Sequence, residues 1–312
     1  MSIQIIKSGI LDSIQGLPII GKQHEGFSPG GSMDLIAHRI ANALVGNKKE
    51  AAVLEMHVPA AILLFTKETL FAFSGAATTA TLDNETVYCN QPIIVNAGST
   101  LSFNNPANGA RIYVAVQGGF ILKKDRIQKN DVLATGHSFD YHFEGIGQLH
   151  ALSLGWTANT QEFYRSNNIR CIQGPNFNVL DTNEIDQFQN KRFEIDVQSN
   201  RMGFRLISTP IQHAVPTALL STAVTKGTLQ LTPSGQIIVL MADHQTTGGY
   251  PRIGTVISAD IASLAQMHIG SSFGITWVSI EEAESLLLQQ ESNLQQLENA
   301  CKFRLQEYFS EK

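Results

Sequence analysis

Five short apolar segments, at residues 61–65, 69–74, 111–116, 235–240 and 272–278, are rich in β-branched and aromatic side chains and bounded by Gly, Asn, Pro or Asp. That pattern predicts a strand at each. Two of them run into glycine turns, at Gly118-Gly119 and at Gly248-Gly249. Strands and helical stretches do not alternate, so the expectation is a mainly β protein with a few helices rather than a doubly wound parallel sheet. Three helices are expected. The first covers 34–45, where Ile36, Ile40 and Leu44 recur every four residues between a capping Asp34 and Gly46. The second covers 261–267, after Asp260. The third covers 280–308, where Leu287, Leu294, Leu297, Cys301 and Leu305 form an apolar stripe among Glu and Gln. The polar stretches 159–168 and 181–191 are candidate boundaries.

Composition narrows the class. Hydrophobic residues make up 43% and charged residues 16%, the opposite of a disordered chain. The formal net charge is −5 and no basic run occurs, which argues against a nucleic-acid-binding face. Cys89, Cys171 and Cys301 are far apart with no CxxC pair, so a disulfide framework or structural zinc is not expected and reduced thiols are. The first residues lack the apolar core of a leader, and no run approaches the ~18 apolar residues of a membrane helix. A cytoplasmic protein is expected.

Several clusters could carry chemistry. Gly16 to Gln23 nearly spells a phosphate-binding loop, but Gln23 replaces the Mg²⁺-holding hydroxyl and no helical pattern follows, so coincidence is the reading. In Ser28-Pro-Gly-Gly-Ser-Met-Asp34, Gly30 and Gly31 free the backbone just before a helix start. The segment reads equally as an anion cradle or as a tight turn into a capped helix. If Asn200 to Arg205 is a strand, Arg201, Gly203 and Arg205 share one face. Two guanidinium forks then flank a bare backbone, an arrangement suited to a carboxylate or phosphate; two surface arginines with acidic neighbours are the alternative. Asp243 to Arg252 packs Asp, His, Gln, two Thr, Tyr and Arg into a loop straight after an apolar strand, where binding sites concentrate; a polar hairpin is the alternative. His137, Asp140 and His142 are spaced too weakly for a metal site, and no metal is expected.

These stretches resemble a known family. Gly9-Ile-Leu-Asp-Ser-Ile-Gln15, Gly26-Phe-Ser-Pro-Gly-Gly-Ser-Met-Asp34 and Ala41-Asn-Ala-Leu-Val-Gly-Asn47 with Leu54-Glu55 look like the opening of the biotin-dependent carboxyltransferase-like family. That family includes KipA, the C component of 5-oxoprolinase, the second component of allophanate hydrolase and the second half of the carboxyltransferase region of urea carboxylase. Phe73-Ser-Gly-Ala76, Tyr113 to Gly119, Gly174-Pro175, Arg201 to Leu206, Gly227 to Gln230, Leu240 to Arg252, Ala259-Asp260 and Ala265-Gln266 continue the likeness. It spans roughly residues 9–280.

The resemblance implies two linked cyclophilin-like β-barrel domains, placed at 1–165 and 166–280, with a C-terminal helix at 281–312. It implies one component of an ATP-dependent complex that opens 5-oxoproline to glutamate. The partners would be a KipI-like protein and a LamB/YcsF-like protein, with ATP entering at the level of the complex. On this reading Arg201 and Arg205 bind the substrate carboxylate and Gly30-Gly31 supply N–H donors. Asp243, Gln245 and Thr246 orient the reacting amide, and Gly203, Gly248, Gly249, Tyr250 and Arg252 complete the pocket. Two other readings stand beside it. One is carboxyl transfer to urea or a related amide with a separate biotin carrier, since this chain has no Met-Lys-Met biotin site. The other is a non-catalytic protein that binds and regulates a KipI-like partner. The chain departs from the family at Gln15-Gly16-Leu17-Pro18 and, between Gly119 and Asp131, lacks the usual Gly-Ser-Arg-Ser-Thr segment.

Overall fold

The computed structural model describes residues 2–122, 126–136, 151–164, 168–188, 190–212 and 219–310. The five expected strands appear as Ile62–Phe65, Thr69–Ala77, Asn108–Val116, Ile237–Leu240 and Ser272–Trp277. The expected helices appear as Leu35–Leu44, Ile261–Gln266 and Ile280–Ser310. The near phosphate loop leads only into a single 3-10 turn, Gln23–Glu25, where Lys22 pairs with Glu25 at 3.3 Å. Among the described residues no helix is long and apolar enough to cross a membrane.

The chain divides into two compact units. The first comprises 1–17, 34–161 and 292–312, and the second comprises 18–33 and 162–291. Residues 18–33 lie within the stretch assigned to the first expected domain, yet they group with the second unit. The reason is local: Gly30 N–H donates to the Ala242 carbonyl at 3.0 Å, Ser28 Oγ donates to the His244 carbonyl at 2.8 Å, and Met33 lies in that unit's apolar core.

The first unit holds two six-stranded sheets that share one apolar core. Phe65, Phe71 and Phe73 are fully buried there, and each side chain of that size contributes about 1.5–3 kcal/mol on leaving water. Helix Leu35–Leu44 starts as its sequence predicts, with Asp34 Oδ1 accepting the Ala37 N–H at 3.0 Å, and it packs on Thr69–Ala77 and Asn108–Val116. The terminal helix is divided between the units at 291/292. Its apolar stripe is covered unevenly: Leu294, Cys301 and Leu305 are buried and Leu297 is half-buried, whereas Leu287 is exposed. Within the first unit Glu298 forms a two-point pair with Arg39, at 2.7 and 3.1 Å.

Asp12 gives this unit a pH dependence. Its carboxylate is 1% exposed and accepts the Gly9 N–H. Burial pushes its pKa up to about 6, against the opposing pull of that hydrogen bond and of the Arg126 charge. The folded state therefore keeps a proton that the unfolded chain has already lost, so stability falls as pH rises from the ordinary value of 3.8 through about 6. Asp12→Asn keeps an acceptor for Gly9 and removes the titration. At pH 7.5 the variant should be more stable than the parent by about 1–3 kcal/mol, with the gap closing near pH 4. Parallel unfolding curves at the two pH values check this, and an unchanged gap would refute it.

The second unit is a closed seven-stranded barrel. The order round it is Asn168–Gln173, Arg252–Val256, Thr228–Leu231, Ile237–Leu240, Gly203–Ile207, Phe193–Ile195 and Ser272–Trp277. It closes by a parallel pairing in which Asn168 faces Gly274 and Cys171 faces Trp277. Alternation sets what points inward: Phe204 and Leu206 enter the core, and Arg205 and Ile207 face outward. Arg170, on the closing strand, is held by Asp260 through Nη2–Oδ1 at 2.6 Å and Nε–Oδ2 at 3.0 Å, and its own N–H also donates to Oδ2 at 2.8 Å.

Candidate functional site

The candidate residues of the second unit gather around the loop that leaves strand Ile237–Leu240. Pairing of that strand with Gly203–Ile207 sets Gly203 opposite Leu240. The ladder then continues beyond both strand ends, through Met241 N–H to the Met202 carbonyl at 3.0 Å and Asp243 N–H to the Arg201 carbonyl at 2.9 Å. Backbone geometry thus delivers Arg201 and Asp243, distant in sequence, to the same place.

Their side chains complete the junction. Arg201 Nε donates to Asp243 Oδ2 at 2.7 Å, Nη2 donates to Oδ1 at 2.9 Å, and Nη2 also donates to the Gly31 carbonyl at 2.6 Å. Gly30 and Gly31 take φ values of +61° and +79°, a region open to glycine at little cost. An added Cβ on Gly30 would stand 3.9 Å from Asp243 Oδ1. The glycine turn, the arginine and the aspartate are therefore one assembly. Lys226 Nζ caps the same turn further on, donating to the Met33 carbonyl at 2.8 Å.

This assembly differs from the arrangement expected of it. Strand Gly203–Ile207 begins after Arg201, so Arg201 does not share a strand face with Gly203 and Arg205. The Arg201 fork is engaged by Asp243, whereas Arg205 sits exposed on the outer face of the strand. A two-guanidinium clamp is not what the fold builds. Gly203 has a packing reason to be glycine, because a Cβ there would meet Ile238 Cγ2 at 3.0 Å and the Val239 carbonyl at 3.3 Å. The Gly30 N–H is taken up by Ala242 rather than left for a ligand.

The rest of the loop is held from two other sides. Gln245 Nε2 donates to Gln230 Oε1 at 3.3 Å. Thr247–Gly248 pairs antiparallel with Thr222–Ala223, Thr246 accepts the Val224 N–H at 3.2 Å, and Arg252 Nη1 donates to the Ala223 carbonyl at 3.0 Å. An added Cβ on Gly249 would stand 3.1 Å from the Leu219 carbonyl, and Tyr250 is exposed. Sequence reasoning missed Lys226 and Gln230 here, and counted His244 only as one of the loop's polar residues. Gln230 and His244 are buried, and burial of a polar side chain was the signal only the fold could supply. Burial also pulls the His244 pKa down, aided by the Lys226 charge and opposed by the hydrogen bond to Gln245 and by Asp243.

Among the described residues no three His, Cys, Asp or Glu side chains gather as metal ligands; His137, Asp140 and His142 lie outside the described residues. Chemically the site offers a rigid carboxylate–guanidinium pair, a neutral imidazole and two coupled primary amides. That set suits polar, uncharged amide groups better than free anions.

A family model described as the carboxyltransferase domain, subdomain A and B, matches residues 25–277. The C component of the 5-oxoprolinase of Escherichia coli is 32% identical over 313 residues, covering 95% of this chain and 97% of that protein. The protein of the same name from Haemophilus influenzae is 33% identical over 304 residues, covering 91% and 94%. The structure of the K. lactis urea amidolyase matches with a TM-score of 0.83 at 22% identity, over 95% of this chain but only 20% of that one, a likeness of fold alone.

Proposed function

The chain belongs to the carboxyltransferase domain family of subdomains A and B, and on that premise we propose that it is the C component of an ATP-dependent 5-oxoprolinase complex. In that reaction water's oxygen joins the lactam carbonyl carbon, the ring C–N bond breaks, and the nitrogen takes a proton to give glutamate, driven by ATP hydrolysis at the level of the complex. The observation that carries the reading is the near end-to-end likeness to two proteins of that name. The site suits the chemistry: an amide must be oriented and held away from bulk water, and the loop of Asp243, Gln245 and Thr246 supplies fixed polar groups on a rigid barrel edge. The partners are a KipI-like protein and a LamB/YcsF-like protein.

Mixing the purified chain with those two partners, ATP and 5-oxoproline tests the proposal. Glutamate release that requires all three proteins is expected; no release in any mixture would overturn it. A second reading, carboxyl transfer to urea, is favoured by the distant likeness to urea amidolyases. It requires a biotinylated carrier, and carbonate-dependent consumption of urea only in the presence of such a carrier would select it.

A further inference from the structure

The first unit carries a cavity of about 620 Å³ between the end of helix Leu35–Leu44, the loop that follows it and the 295–306 stretch of the terminal helix. Lys48, Lys49 and Lys302 line it. All three are exposed, and among the described residues none of their ammonium groups pairs with a carboxylate. Two acids share the lining, Glu50 and Glu298. Both oxygens of Glu298 are taken by the Arg39 fork, so those two charges cancel. The wall is left with three positive charges against Glu50, in a chain whose formal net charge is −5.

The lysine loop is fixed by polar side chains that the helix's apolar repeat does not explain. His38 and Asn42 are fully buried. His38 Nε2 donates to the Lys49 carbonyl at 3.1 Å, and Asn42 Nδ2 donates to the Ala51 carbonyl at 2.8 Å. Asn47 Nδ2 donates to Asn42 Oδ1 and to the Val116 carbonyl, and its Oδ1 accepts the Gly118 N–H. A loop pinned in this way presents its lysines from a rigid backbone, which lowers the ordering cost of binding. Lysines after a helix can simply complement its carbonyl end. Here the Asn42 and Ala43 carbonyls already accept the backbone N–H groups of Val45, Gly46 and Asn47, and Lys302 belongs to a different helix.

We propose that this cavity binds a linear polyphosphate, either the tail of a nucleoside triphosphate or an inorganic chain. Ammonium groups act as point charges on phosphate oxygens, whereas a carboxylate is matched best by an arginine fork, and the fork here is already engaged. The volume is that of a small-molecule site and leaves room for several phosphates in a row. The residues lining it include no aromatic ring on which a base could stack, so recognition falls on the phosphates. The inference does not rest on the 5-oxoprolinase reading.

Calorimetry on the full chain at low salt, with tripolyphosphate, ATP and AMP as probes, tests this. Tripolyphosphate should bind, AMP should bind at least tenfold more weakly, and affinity should fall as salt is raised. Lys48→Gln, Lys49→Gln and Lys302→Gln combined should weaken tripolyphosphate at least tenfold, with folding checked by circular dichroism. Lys7→Gln, Lys67→Gln and Lys129→Gln combined remove the same charge from exposed lysines elsewhere in the unit, and should leave binding within about twofold of the parent. Glu50→Gln removes the opposing charge and should strengthen binding, a gain that a damaged fold cannot mimic. No binding to the parent chain, parent-like binding by the cavity variant, or a loss as large in the control variant would overturn the site. ATP binding as tight as tripolyphosphate identifies the nucleotide as an occupant; tripolyphosphate binding without ATP binding identifies the inorganic chain.

Discussion

Arg201→Ala in the proposed three-protein assembly should lower the rate of glutamate release by about 100-fold or more while the chain stays folded. The guanidinium joins three segments of the barrel unit, through two bonds to Asp243 and one to the Gly31 carbonyl. Without it the glycine turn and the 243–252 loop lose one of the anchors they share, and misplacement of reacting groups by ~1 Å costs on the order of 100-fold. The stability loss should be far smaller. Asp243 is 39% exposed, so water can take over its carboxylate, and a pair of that kind contributes only about 0–1 kcal/mol. Arg201→Lys keeps the charge and loses the fork, and should recover only part of the rate. Turnover and melting temperature measured on the same preparations decide the matter. Full activity in a folded Arg201→Ala chain would show that the junction does not position the site.

The largest effect on stability should come from Asp260→Ala, at about 3–5 kcal/mol, because it leaves a nearly buried guanidinium without its counter-charge. Asp260 is 1% exposed and the Arg170 side chain 11%, and the aspartate also satisfies the Arg170 N–H. Arg170 sits on the strand that closes the barrel, so the lost pair weakens the seam. Urea unfolding should show a lower midpoint with an unchanged slope. Replacing both partners by apolar residues of similar size should restore most of the loss, since no charge is then stranded. A single-variant loss below ~1 kcal/mol would contradict the argument, because that is the size of an exposed pair.

The strands were legible in the sequence because their side chains alternate or run apolar over lengths that only a sheet buries. Phe204 and Leu206 point inward, and Gly203 and Arg205 outward, as period two requires. Helix Leu35–Leu44 was legible because its cap and its repeat lie within eleven residues of each other. What escaped depended on distance along the chain. Arg201 and Asp243 meet through a ladder that continues past the strand ends, and no local pattern announces that. Extending the strand back to Arg201 put two arginines on one face where the fold puts one. The same limit hid the burial of Gln230 and His244, each of which has one side-chain atom held by Gln245 and the other without a partner. Residues 18–33 read as part of the first domain for the same reason, since Met33 finds its core far downstream. Leu287 shows the converse: a helical stripe predicts which face is apolar, not how much of that face is covered.

Closure of the barrel by its first and last strands has a consequence for synthesis. Until Gly274–Trp277 leaves the ribosome, roughly a hundred residues after Asn168, the emerging sheet carries two open edges, at Asn168–Gln173 and at Phe193–Ile195. Such edges invite pairing with other nascent chains. A transcript truncated before residue 272 should therefore yield aggregates rather than a smaller soluble protein, and the full chain should depend on holdase chaperones late in translation.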